Sequence, residues 1–554
     1  MSDQMVFAPL GGVGEIGMNM GLYGFGPEGN RKWLIVDCGV TFAGPNLPGI
    51  DLILPDIRFL EEIGGDVVGM VLTHAHEDHY GAVLDIWPDI ECELFASSFA
   101  KAMIDAKASS NGYPYTVPAT IVEAGKPFKA GPFTVELVSM AHSIPESFGL
   151  IIESPAGTAF HTGDWKLDPD LIGGAPTDIA RLRELGKSGK SLALVCDSTN
   201  ATRDGESPSE AAVAATLERI IAGAENRVAV TIFASNVGRM VSIARAAQKA
   251  GRQVVAAGRA VHRIGGIARD LGLLEGIDDF LDQDAFGYLP RDKTVLICTG
   301  SQGEARAAMA RIARGEHPDI SLAKGDMVIF SSRAIPGNER EVIDIHNMLV
   351  DQGVELITDR DALVHVSGHP RRDELRQLYD WLKPETLVPV HGEPTHLHAH
   401  AKLGRDAGIK NILEARNGDM VTLFPTPGVS KAEVPTGRVY LDGNLICDPE
   451  ETRVGERRKL SFAGHITASL CINGKGQVVS GPDLRMLGVP ELDDDEDNLT
   501  EVAVDAISGV IKSMPPKHRG DPARFAEALR RAVRGEINAV WGKKPVVDIF
   551  VHKV

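Results

Sequence analysis

His74-Ala75-His76-Glu77-Asp78-His79 follows, after Thr73, on the apolar run Val67-Val68-Gly69-Met70-Val71-Leu72. The run reads as a buried strand, so four metal-binding side chains stand where a strand gives way to a loop. Alternation at the strand end turns His74 and His76 the same way. A tight turn brings Asp78 and His79 back from the start of a helix expected from Tyr80 to Trp87. One loop can therefore serve two metals. Imidazole nitrogens and a carboxylate suit zinc or manganese, and a paired site can activate water. With 17 His in 554 residues, three at these offsets would coincide by accident roughly 0.02 times in such a chain. Packing gives no reason for the pattern.

A chain of 554 residues exceeds one hydrophobic core and implies two or three domains. Its 43% hydrophobic and 24% charged residues are those of a soluble globular protein. No unbroken apolar stretch is long enough to span a bilayer, and Met1-Ser2-Asp3-Gln4 lacks the basic start of a signal peptide, so a cytoplasmic protein without membrane partners is expected. The six cysteines have no paired spacing and several lie in apolar runs, which reads as reduced core residues. A net charge of −19 argues against loose adhesion to nucleic acid or anionic membrane. It leaves room for a polyanionic substrate held by divalent ions and a locally basic groove.

Working outward, Met5 to Leu10 is a strand and Gly11 to Met20 a glycine-rich turn. The turn looks like a dinucleotide fingerprint, but no helix follows it, and a hairpin suits it better. The strand Trp33 to Cys38 carries Asp37 at its end, read as a hydrogen-bonding partner of the metal loop. His142 follows the strand Phe133 to Val138, and Asp164 follows a hairpin whose second arm ends near Phe160. Both are further strand-end ligand candidates, and a carboxylate at 164 could bridge two ions. His161, beside it, reads as a strand residue. His396, His398 and His400 fall on one helix at spacings that put only two on one face, and read as residues outside the metal site.

The ordered set Asp37, His74-Ala75-His76-Glu77-Asp78-His79, His142 and Asp164 resembles the metallo-β-lactamase superfamily. The resemblance implies an αββα sandwich in which His74, His76 and His142 bind one metal, Asp78 and His79 the other, and Asp164 bridges. The second ion then lacks a ligand. His391, at the end of the strand Leu387 to Val390, supplies it, after an inserted run of alternating helices and strands. That arrangement is similar to the β-CASP branch, and in detail to the ribonuclease J family. The carrying residues are Gly11 to Met20, Asp197-Ser198-Thr199-Asn200, Phe233-Ala234-Ser235-Asn236-Val237, Thr299 to Glu304, Ile335 to Glu339, His365-Val366-Ser367-Gly368-His369 and Pro389 to Glu393. Ala75 and Gly238 stand where many members have Gly and His, and neither change removes a ligand.

The expected organisation is an α/β fold: a metallo-β-lactamase domain over residues 1–204 and 356–450, interrupted by an α/β β-CASP domain over 205–355. A linker at 451–459 and a small α+β C-terminal domain over 460–554 follow. Within the latter, Lys459 to Ile466 is expected to open a strand set. Arg524, Arg530, Arg531 and Arg534 lie on a helix over 523–534, either contacting RNA or forming a solvated face.

His369, hydrogen-bonded to Asp197, is the candidate general acid, because a neighbouring carboxylate raises an imidazole's pKa and fixes its orientation. The alternative is a mere helix-start cap before Pro370. By similarity, Ser235, Asn236, His365, Ser367, Gly368 and His369 hold the terminal phosphate and nucleotide of the substrate. The resemblance implies a ribonuclease with two zinc ions, manganese or magnesium being alternatives, and with Asp164, Asp197 and His369 as catalytic residues. It would act 5′ to 3′ on single-stranded, 5′-monophosphorylated RNA and also cut internally, in messenger decay and ribosomal RNA maturation. A homodimer or homotetramer and membership of an RNA-degradation complex are implied too. A small-molecule thioester or lactam hydrolase would share the histidine loop but has no use for so large an insert. A silent RNA-binding scaffold has no reason to keep every ligand.

Overall fold

The computed structural model describes residues 3–335, 337–491 and 498–554. The acidic run expected as a solvated loop, residues 491–497, lies outside them except for Glu491, as does Pro336.

Two compact units emerge, residues 1–42 with 52–439, and residues 43–51 with 440–554. In the first, an eight-stranded sheet and a seven-stranded sheet share one core. Phe7, Leu34 and Val71 come to it from the first sheet, and Val135, Leu150, Ala193 and Val388 from the second. The other face of the second sheet packs Leu194 and Phe160 against Leu182, Leu375 and Leu403 of three helices, Ile179–Lys187, Arg372–Leu382 and Pro394–Asp406. These are the layers of an αββα sandwich.

Strand direction decides where chemistry can gather. Lys32–Val36 and Val67–Val71 are parallel neighbours in the first sheet. In the second, Gly157–His161, Leu192–Asp197 and Thr386–Val390 are parallel, and Phe133–Ser139 shares their direction across the antiparallel strand Phe148–Ser154. Asp37, the His74 loop, His142, Asp164, Asp197 and His391 all stand at carboxyl ends of these strands or just beyond them. Strand ends leave side chains free of the ladder, as in other open α/β sheets.

Between Asp197 and His369 runs a five-stranded, all-parallel sheet whose order is Gln253–Ala257, Thr294–Cys298, Val228–Thr231, Met327–Phe330, Glu355–Ile357. It has its own core of Ala229, Val255, Leu296, Val328 and the helix residues Ile345 and Leu349.

Three local expectations are corrected. The helix placed over Tyr80 to Trp87 is two helices, Glu77–Tyr80 and Val83–Ile90, parted at Gly81, so Asp78 and His79 lie within the first turn itself. Lys459 to Ala463 is not a strand opening but the end of the helix Val454–Ala463, stopped at Gly464 with φ +65°. The helix expected over 523–534 runs through Gly535 to Trp541. On it, Arg530 and Arg531 both pair with Glu527, at 2.7 and 2.6 Å, which favours the solvated-face reading of that cluster.

The second unit packs Leu499–Ser513 and Pro522–Trp541 on a three-stranded sheet in which His465–Ile472 lies between Val478–Leu487 and Val546–Lys553. The cysteines are unpaired, as expected, with four of six buried. No helix among the described residues is long and apolar enough to cross a membrane.

Candidate metal centre

The glycine-rich turn prepares the site before any ligand is reached. Gln4–Gly11 and Met20–Gly26 form an antiparallel hairpin, and the long turn between them carries Asn19 into the centre. Asn19 Oδ1 accepts from His391 Nδ1 at 2.8 Å, and its amide donates to the Asp78 carbonyl at 3.0 Å. A Cβ on Gly12, at φ +80°, would sit 2.2 Å from Asn19 Oδ1. Only glycine allows that approach.

Asp37, at φ +64°, accepts from Thr73 N–H at 2.7 Å and from Thr73 Oγ1 at 2.8 Å, and binds His79 Nδ1 at 2.7 Å. It is a hydrogen-bonding partner of the metal loop, and it falls outside the clusters able to hold an ion. His391, at φ +50°, and Met18, at φ +54° in the glycine-rich turn, also have left-handed backbone. Such strain recurs where a site over-determines its backbone.

The seven residues expected as ligands are brought together in two groups that share Asp164. His74, His76, His142 and Asp164 form one, and Asp78, His79, Asp164 and His391 the other, with ligand atoms within 4.8 Å of one another in each. In the first, His76 Nδ1 lies 3.1 Å from both His74 Nε2 and His142 Nε2, and each of those lies 3.7 Å from Asp164 Oδ2. In the second, Asp164 Oδ1 lies 3.3 Å from His79 Nε2 and 3.6 Å from His391 Nε2, while Asp78 Oδ2 lies 3.6 and 3.8 Å from the same two nitrogens.

Those contacts do not satisfy themselves. His142 Nδ1 donates to the Gly368 carbonyl at 2.7 Å, and the Nδ1 atoms of His79 and His391 face Asp37 and Asn19 oxygens. The Nε2 of His142 is therefore a lone pair in the neutral ring, aimed at His76 Nδ1 and the Asp164 carboxylate, while His79 Nε2 faces Asp164 and Asp78 oxygens and lies 3.1 Å from the Asn19 amide nitrogen. Asp164 Oδ1 is buried without a hydrogen-bond partner. Divalent cations fit such a donor set, since the edges of a tetrahedron with ~2.1 Å bonds are about 3.4 Å. The first group is also in ligand form: burial pushes His76 down to about 4, and holds His74 and His142 well below the ordinary imidazole value. Burial opposes charge on His79 too, but Asp164, Asp78 and Asp37 more than offset it and raise that ring's proton affinity. A metal answers the same field.

Asn19→Ala should lower metal affinity by about 10- to 100-fold, the usual loss when a ligand's hydrogen-bond partner is removed. Competition with a chelating dye measures it, and wild-type affinity would show that Asn19 supports only the turn.

His369 stands beside the centre, its Nδ1 2.8 Å from Asp197 Oδ2. Asp197 is itself fixed, its Oδ1 accepting from Thr199 N–H at 2.8 Å and Thr199 Oγ1 at 2.7 Å. Burial disfavours a charged His369, but Asp197, then Asp164 and Asp78, overcome this and lift the ring to about 9.

Residues 225–349 match the family described as "Ribonuclease J, beta-CASP domain", and residues 452–554 match "Ribonuclease J C-terminal domain". Residues 353–413 match "Zn-dependent metallo-hydrolase RNA specificity domain", and residues 32–185 "Beta-lactamase superfamily domain". A ribonuclease J of Sinorhizobium meliloti is 52% identical over 552 residues, covering 100% of this chain and 98% of that protein. The chain belongs to the ribonuclease J family. Its reaction class is that of a nuclease, a hydrolase. Ribonuclease J proteins of Mycobacterium tuberculosis and Helicobacter pylori are 38% and 30% identical, with 98% of this chain covered in each case and 96% and 79% of theirs. A crystal structure of a protein of unknown function from Enterococcus faecalis V583 shares the fold, with TM-score 0.53 and 15% identity over 76% of this chain and 100% of that one.

The residues expected to hold substrate in this ribonuclease J relative lie on neighbouring loops. Ser367 Oγ accepts from Asn200 Nδ2 at 2.9 Å, and Gly368 abuts His142 so closely that a Cβ would lie 2.6 Å from its ring. Asn236 caps the helix Val237–Lys249, its Oδ1 accepting from Arg239 N–H at 2.9 Å. His365 Nδ1 is buried without a partner. No hydrogen bond joins Ser235 to these residues among the described ones. His161 meets Tyr23 OH at 3.1 Å. His396 accepts from Glu393 N–H, His398 is exposed, and His400 is buried against Ser198 Oγ at 2.8 Å, so none of the three joins the metal groups.

Proposed function

We propose that the protein is a two-metal ribonuclease that hydrolyses RNA phosphodiester bonds, stepping 5′ to 3′ from a 5′-monophosphate and also cutting internally. The observation that carries this reading is the pair of donor groups sharing Asp164, with the His369–Asp197 couple beside them. His74, His76, His142 and Asp164 would hold one ion, and Asp78, His79, Asp164 and His391 the other. Zinc is the metal proposed, with manganese or magnesium able to support activity. Bound there, the ions supply Lewis-acid charge for the phosphoryl oxygens and acidify water.

The rest is done by side chains. With Nδ1–H donated to Asp197, His369 carries its second proton on Nε2 and delivers it to the departing sugar oxygen. Asp197 fixes the tautomer and the ring plane, and Thr199 fixes Asp197. Ser235, Asn236, Ser367 and the Gly368 backbone offer donors to a terminal phosphate. Burial, with Arg239 and Arg333 nearby, pushes His365 down to about 3, so it meets the phosphate as a neutral ring able to donate one N–H. By family resemblance the protein acts in the cytoplasm as a dimer or tetramer, in messenger decay and ribosomal RNA maturation, within an RNA-degradation complex.

The test uses one RNA sequence, 5′-labelled and carrying either a monophosphate or a triphosphate, incubated with the protein and zinc or manganese. Mononucleotide released from the monophosphate form alone, with internal fragments from both, is the expected result. Absence of any RNA cleavage with either metal would overturn the reading.

A further inference from the structure

A chain of buried polar contacts runs from the loop of Asp164 into the inserted domain, and the chemistry above makes no use of it. It starts at Lys166, whose N–H donates to the Ala141 carbonyl at 2.8 Å, next to His142. Lys166 Nζ pairs with Asp168 Oδ2 at 2.8 Å, both side chains fully buried. The same Oδ2 accepts from the Glu210 N–H at 2.8 Å. Glu210 then grips Arg239 in a two-pronged pair at 2.8 and 3.0 Å, the side chains 3% and 0% exposed.

Arg239 is the branch point. Its Nη1 donates to the Val364 carbonyl at 2.9 Å and to the Ser331 carbonyl at 3.2 Å, and its backbone N–H donates to Asn236 Oδ1. Ser331 Oγ donates to the Val364 carbonyl as well, at 2.6 Å. Val364 precedes His365, and Asn236 follows Ser235. Arg239 therefore touches both segments that carry the phosphate-binding residues proposed above, its guanidinium the one that leads to His365 and its backbone N–H the one that holds Ser235 and Asn236. Burying two charges is costly, and a pair of apolar residues would fill the space with less penalty. The planar fork is what an apolar pair cannot supply: donors at fixed angles to several backbone carbonyls at once.

We infer that Arg239 is the positioning residue of the 5′-phosphate pocket, and that Glu210 and Asp168 tie its setting to the loop bearing the shared metal ligand Asp164. This inference rests on the pocket reading above. Its consequence is a fixed register between the held phosphate and the bond that is cut, so that the enzyme releases single nucleotides.

The experiment uses the full chain with manganese and three RNAs of one sequence: 5′-monophosphorylated, 5′-hydroxyl and circular. Arg239→Lys keeps the charge and loses the fork. It should lower the preference for the 5′-monophosphate by about tenfold or more, the worth of one hydrogen bond to a charged group. Dinucleotides should appear among the first products, and the preference is read as the ratio of the monophosphate rate to the hydroxyl rate, so that an equal loss on all three RNAs would overturn the inference. A wild-type preference and mononucleotide products in the variant would overturn the inference alone. No preference in the wild-type protein itself would overturn the pocket reading and the inference with it. Should Arg239→Lys fail to fold, the volume-matched double variant Glu210→Leu, Arg239→Met removes both buried charges. Its circular dichroism should match wild type with the preference lost, and a retained preference would overturn the inference.

Discussion

Replacing Asp164 by alanine lowers RNA hydrolysis by about 1,000-fold, a loss of ~4 kcal/mol of charge stabilisation in the transition state. The reason lies in how the donors are shared. Oδ2 closes the group of His74, His76 and His142, and Oδ1 closes the group of Asp78, His79 and His391. Removing one carboxylate leaves two incomplete donor sets and a cluster of rings with no common acid. Asp164→Asn should be nearly as damaging, because its amide keeps one acceptor oxygen and adds a donor pointed at an imidazole lone pair. Initial rates on 5′-monophosphorylated RNA at saturating metal measure the effect. A fall of only a few-fold would mean that the carboxylate does not bridge.

His369→Ala is the second large effect, with kcat reduced by about 10²- to 10⁴-fold, the usual worth of a positioned general acid. Metal content should be unchanged, since His369 belongs to neither group that shares Asp164; it meets the ligand His391 only in a third donor cluster with Asp197. Equal loss of metal and activity would count against the acid role. Asp197→Asn gives the pH signature. The acids around His369 hold its value above the ordinary imidazole range, at about 9, so the protonated, active form persists as pH rises and is lost on passing through that value. Bound cations pull the value down, but the Asp197 contribution stays additive to theirs. Removing that carboxylate must therefore move the alkaline limb of the kcat profile to lower pH. A limb that stays in place or moves up would exclude His369 as the group that titrates.

The ligands were legible because each is a metal-binding residue type directly after an apolar strand, and strands that run the same way end at the same edge. His391 could be reached only through the family resemblance, since the inserted domain separates it from Asp164 in sequence. Asn19 was missed. It hides in a glycine-rich turn whose partners, Asp78 and His391, lie 59 and 372 residues away, and a hydrogen bond of that span leaves no local pattern. Arg239 and Glu210 were missed for a related reason: charged residue types in a helix read as solvent-facing, and only packing reveals that both are buried. Lys459-Leu460-Ser461-Phe462-Ala463 alternates as a strand would, yet it is the last half of a helix. Five alternating residues fit either period, and only the positive-φ glycine that ends the helix distinguishes them. The helix expected to end at Arg534 continues through Gly535, because a glycine within a helix costs about 1 kcal/mol without stopping it. The segment 43–51 groups with the C-terminal unit although it stands near the start of the chain.

Metal stoichiometry tests the central claim most directly. Protein purified without chelators, equilibrated with zinc and desalted, is counted by inductively coupled plasma mass spectrometry against its amino-acid content. The shared-carboxylate arrangement requires two tightly held equivalents per chain in the wild-type protein and the loss of both affinities in Asp164→Ala. A wild-type chain that retains one equivalent or none, or an Asp164→Ala chain that keeps two, would contradict it.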